Sequence, residues 1–176
     1  MKQPPAISNR SAPTTAGQLK FSMRNLPLLE SGASQDLVGL APMLWAHAKI
    51  YSAGGENALH SHAIEDHVFL VLQGRATFNF GDGSTADARA FEGVTIPRGV
   101  YYRFHANEEE GNLVMFRVGS ANITDSSDLD PKFSMPKEAL NSRADPKGNY
   151  AAGDAKTNGA AAQPTVYKAG AFFAAE

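Results

Sequence analysis

Between residues 40 and 120 the large apolar side chains fall in short packets closed by glycine. "MLWAHAKIYS" runs into Gly54-Gly55, and "HVFLVLQG" ends at Gly74. In "RATFNFGDG", Ala76, Phe78 and Phe80 alternate with polar residues, the period-two pattern of a half-buried strand, before a Gly-Asp-Gly turn. "ARAFEGVTIPRGVYYRFHA" and "NLVMFRVGS" continue the series, so strand-sized pieces recur about every ten residues. Only the stretch around Pro136–Leu140 reads as helical. The spacing predicts an all-β antiparallel sandwich or barrel over residues 21–140.

The flanks differ in kind. Residues 1–20 are Pro-, Ser-, Thr- and Ala-rich without periodicity, which predicts a flexible N-terminal arm. Residues 141–176 form a low-complexity tail whose Asp-Pro, Gly-Asn and Asn-Gly pairs mark turns. Its end restores large apolar groups in Val166, Tyr167, Phe172 and Phe173, which are expected to anchor on the barrel or on a partner subunit. The whole chain, 176 residues and 18.7 kDa, suits one domain with tails.

Charge and composition then narrow the chemistry. A net charge of -2 without a basic run excludes nucleic acid and anionic membrane surfaces as partners. No apolar stretch suits a membrane helix or signal peptide, so a cytoplasmic location is expected. Cysteine is absent, so any metal must be held by nitrogen and oxygen.

Histidine is concentrated where such ligands are needed. "LHSHAIEDH" places His60, His62 and His67 within eight positions. Residues i and i+2 of a strand share a face, so His60 and His62 present their imidazoles side by side. A bend at "AIED" would bring His67 in beside them. Three imidazoles in this arrangement favour a metal site over a polar loop.

These residues resemble the first motif of the cupin superfamily. Gly54, His60, His62, His67 and Gly74 keep its spacing, with His67 in place of the usual glutamate. Asp66, one residue earlier, has the wrong strand parity to replace it. A second motif is matched by Gly93, Pro97 and Gly99, with Tyr102 where most members place histidine. His105, three residues on, is expected to face outward.

The resemblance implies a cupin-type double-stranded β-helix, a jelly-roll barrel, with a metal near its centre, and a homodimer. His60, His62 and His67 would hold a divalent transition metal, with Tyr102 as fourth ligand or as an acid beside them. Fe(II) is favoured, and Zn, Mn, Ni or Cu suit the same ligands. The expected activity is that of an oxygenase or dioxygenase on a small-molecule substrate. A non-redox lyase, isomerase or cyclase is the alternative, followed by a non-catalytic small-ligand module. His47, Lys49 and Tyr51 share one strand face, which either lines the pocket or faces solvent. If it lines the pocket, Lys49 and Tyr51, with Tyr102, are the candidates for catalysis or substrate anchoring. Phe69, Val71, Phe78, Phe80 and Phe104 read as core.

Overall fold

The computed structural model describes residues 20–41, 44–52, 59–62, 65–120, 129–130, 135–136, 143–144 and 164–173. It is built from strands. The first five-stranded sheet runs β2 (Ala33–Ala41), β3 (Leu44–Tyr51), β10 (Leu113–Ser120), β5 (Asp66–Gln73), β8 (Gly93–Ile96). The second runs β13 (Arg143–Ala144), β4 (His60–Ser61), β9 (Tyr102–Ala106), β6 (Arg75–Phe80), β7 (Thr85–Arg89). Pairings are antiparallel throughout, and sequence neighbours often lie in opposite sheets, which is the jelly-roll arrangement. Among the described residues no helix is long and apolar enough to cross a membrane.

Period-two alternation builds the space between the sheets. Ala76 and Phe78 of β6 pair across to Ala106 and Phe104 of β9, and all four are buried. Phe69 meets Phe78 and Phe104 from the other sheet, with ring centroids 5.5 and 5.8 Å away. Each such aromatic contributes roughly 1.5–3 kcal/mol by leaving water. This apolar cluster, joined by Val71, Leu113 and Met115, is the core predicted for Phe69, Val71, Phe78 and Phe104.

Short turns join these strands. Gly74 adopts φ 76°, and a Cβ there would lie 2.9 Å from the Asn112 carbonyl oxygen, so glycine alone permits the β5–β6 turn. The "GDGS" segment is the β6–β7 hairpin turn, with the Ser84 N–H donating to the Asp82 carboxylate at 2.9 Å.

The outer face of the first sheet is also covered. β1 (Leu26–Ser31) pairs with β14 (Val166–Phe172), and Leu26, Leu29 and Phe172 pack over Ala48, Ile50 and Val114. Asn112 fastens β1 in place by accepting the Leu29 N–H at 2.7 Å and donating to the Leu29 carbonyl at 2.8 Å. The C-terminal aromatic segment therefore reaches the barrel through Phe172, while Tyr167 and Phe173 stay exposed.

The segment read as helical differs. Met135–Pro136 is a short strand, β12, paired with β11 (Leu129–Asp130), because proline and its neighbour keep extended backbone. Residues 137–140 lie outside the described residues, as do 1–19 of the arm and 145–163 of the tail. Arg143–Ala144 of that tail pairs with Ser61 and His60, at the edge of the second sheet.

Candidate metal centre

One end of the barrel interior is polar where the other is apolar. Inward positions along β10 read Leu113, Met115, Arg117 and Gly119, opposite Tyr51, Lys49, His47 and Trp45 of β3. On β5 they read Val71, Phe69 and His67. The change from aliphatic to ionisable side chains along these strands places the site at the Gly119 end. Gly119 is required there, since a Cβ would collide with the Trp45 indole, 2.8 Å from its Cζ2 atom.

The second sheet brings the other ligands. His60 on β4 is the register partner of Tyr102 on β9, with ring centroids 4.6 Å apart. His60 and His62 lie 5.1 Å apart by ring centroid, and His62 lies 4.4 Å from His67. All three rings and Tyr102 are buried. Strand parity accounts for His60 and His62 sharing a face, and His67, on β5 of the other sheet, meets them in the same interior.

Glu65 completes the cluster, and the sequence reading passed over it. Its side chain is fully buried, contacts His67 Nε2, and lies 3.6 Å from His62 Nδ1. Asp66 points out and pairs with Arg98, whose hydrogen bonds hold its carboxyl below the usual range. The available signal was parity. Glu65 stands two residues before His67 and so shares its face, by the rule that rejects Asp66. Arg117 was also passed over, being the lone charge in an apolar strand.

One atom of each of His62, Glu65 and His67 lies within 4.8 Å of the others, close enough for all three to hold one ion. His60 stands beside this group and is not part of it. Arg117 Nη2 donates to Glu65 Oε2 at 3.1 Å and lies 2.6 Å from His67 Nε2. His67 Nε2 thus meets both the Glu65 carboxylate and the Arg117 guanidinium, while Nδ1 lies 3.1 Å from the Tyr102 hydroxyl. The Arg117 guanidinium already brings positive charge to the carboxylate and to this edge of the imidazole. The donor set fits a divalent metal that prefers nitrogen and oxygen.

Burial sets the protonation states around it. Desolvation, and then the charge of Arg117, push the His67 pKa far below its ordinary value, which keeps the ring neutral as a ligand must be. The same causes lower His47 to about 3. Desolvation and Arg117 also hold the Lys49 ammonium well below its usual range. Desolvation raises the Tyr102 phenol, so it stays protonated.

The remaining candidates sort by face. Lys49 and His47 lie inside, and with β1 and β14 over the outer side of β3 every residue of that strand after Leu44 is buried. Tyr51 packs in the apolar cluster edge-on to Phe104 at 4.9 Å, and Lys49 Nζ stands 5.5 Å over its ring. Arg103 is buried on the face opposite Tyr102, while His105 is exposed beside Asn79 as its parity predicts.

Comparison with known proteins follows the same lines. Residues 49–119 match the cupin domain family. Comparison with curated proteins gives no significant sequence match. Similar solved structures include KdgF from Halomonas sp., 19% identical over 53% of this chain and 83% of that one, with a TM-score of 0.48. The cupin domain of Schizosaccharomyces pombe Cnp3 is 18% identical over 53% and 68%, with a TM-score of 0.48. An RmlC-like cupin from Shewanella frigidimarina is 17% identical over 66% and 96%, with a TM-score of 0.47. With His60, His62 and Gly74 at motif spacing and the strands in antiparallel jelly-roll sheets, residues 49–119 are a cupin domain.

Proposed function

We propose that the protein is a metal-dependent enzyme acting on a small organic substrate, and that it is an Fe(II)-type oxygenase. The observation that carries this reading is the convergence of His62, Glu65 and His67, two imidazoles and a carboxylate, on one buried spot. That donor set suits non-haem iron and its oxygen chemistry, although Zn, Mn, Ni or Cu accept the same donors. Tyr102, held protonated and hydrogen-bonded to His67, is placed to deliver a proton. His60 packs tilted against the Tyr102 ring, with centroids 4.6 Å apart.

Titration of the protein with Fe(II) under nitrogen, and with Co(II) followed by its visible bands, tests the metal. One equivalent bound by nitrogen and oxygen ligands is expected; no binding overturns the reading. Oxygen uptake with enol and phenol substrates tests the reaction.

A second reading, a non-redox lyase, isomerase or cyclase, is favoured by one observation. Lys49 with its pKa pushed down and Tyr102 with its pKa pushed up lie in the same interior, a base paired with an acid. Turnover that continues undiminished without oxygen, and with zinc loaded, selects it. We further propose a cytoplasmic homodimer, supported by Val166, Tyr167 and Phe173 exposed along and just after β14. A monomeric mass by light scattering refutes the dimer.

A further inference from the structure

The interior wall made by β3 and β10 is rich in buried nitrogen donors. Lys49 and Arg117 are both buried there, and among the buried described groups the one carboxylate is Glu65, which Arg117 already engages. Arg117 Nε and His47 Nδ1 are buried without a hydrogen-bond partner among the described residues. His47 is the register partner of Arg117, and Lys49 follows it two positions along the same inward face. Lys49 Nζ stands over the Tyr51 ring rather than against a described carboxylate. Donors buried in this way cost free energy until an acceptor meets them, and an unmatched buried cation costs more.

A metal ion at the neighbouring cluster would add positive charge beside these donors. What relieves it is negative charge with several acceptor atoms. A neutral hydroxyl would satisfy one donor and leave the charge. Burial and the charge of Arg117 already weaken the hold of Lys49 on its proton, the same penalty that an arriving anion removes.

We propose that His47, Lys49 and Arg117 form an oxyanion subsite that holds the carboxylate or phosphoryl group of a small organic substrate beside the His62–Glu65–His67 cluster. The inference rests on reading the barrel interior as a small-molecule site, and it gives that molecule its charge.

The test uses the full chain, once treated with chelator and once loaded with Co(II). Each form is titrated with succinate, inorganic phosphate and the neutral analogue succinamide, by calorimetry and by shift in melting temperature. Succinate or phosphate is expected to bind at least about tenfold more tightly than succinamide. Lys49→Met is expected to weaken anion binding by about tenfold or more, and Lys49→Arg to retain most of it. The tighter of the two anions identifies a carboxylate or a phosphoryl group. Equal binding of succinamide overturns the subsite. So does a Lys49→Met protein that binds as wild type, or no anion binding in either form. Cobalt uptake in the same preparations separates the two ideas: succinate bound without cobalt removes the metal reading and keeps the subsite, and the reverse removes the subsite alone.

Discussion

The Tyr102 hydroxyl lies 3.1 Å from Nδ1 of His67, joining β9 of one sheet to β5 of the other through the barrel interior. The contact fixes the rotation of the imidazole. Tyr102→Phe keeps the ring packed at His60 and Phe69 and removes only this bond. Metal affinity should fall roughly 10–100-fold with little change in fold, measured by competition against a chromophoric chelator. Unchanged affinity would mean that His67 is oriented by its packing alone.

How much of this was legible in the chain depends on whether the deciding neighbours are local. The strands around Ala76, Phe78 and Phe80 follow from alternation and glycine, which act within a few residues. The convergence of His60 with His62 follows from the same period. His62 and His67 are an odd number apart, so parity breaks between them, and Glu65 was hidden inside what read as a connector. Counting back from His67 recovers it. Lys49 could not be placed by alternation, because β3 is buried on both sides. One cover comes from β14, more than 100 residues further along the chain, and no local pattern reports it.

Glu65 and Asp66 are adjacent, acidic and opposite in consequence. Glu65→Gln leaves Arg117 buried against an amide and should cost about 3–5 kcal/mol of stability, the range for breaking a buried ion pair from one side. It should also abolish tight metal binding. Asp66→Asn disturbs an exposed pair with Arg98 and should barely move the melting temperature. Chemical denaturation of both variants in chelator measures the difference, and equal losses would place the buried charge elsewhere.

Stability should fall as the medium is acidified below pH 6.5. His47 has an ordinary pKa of 6.5 and is lowered to about 3 in the fold, and His67 is lowered as well. Between those two values the unfolded chain binds protons that the folded chain refuses, so unfolding becomes easier as pH drops. The histidine contribution is fully present above the unfolded value and is lost progressively beneath it. Denaturant midpoints at pH 7.5, 6.0 and 5.0 in metal-free buffer should decline in that order, and His47→Gln should flatten the slope. A midpoint independent of pH would show these rings to be solvated.

Gly119 and Trp45 test how tightly the polar end is built. They are register partners on β10 and β3, and the indole occupies the space a side chain at 119 would need. Gly119→Ala must move the indole or the strand, at a cost of about 1–3 kcal/mol. Because Gly119 also pairs with His67 on β5, the displacement passes directly to a metal ligand. Trp45 is the single tryptophan, so its emission reports the change without interference. The expected result is a shifted emission maximum, a lower melting temperature and weaker cobalt binding in the same variant. A shifted emission with unaltered cobalt affinity would show that β10 absorbs the methyl without moving β5, and that the Trp45 side of the barrel is mechanically separate from the metal side.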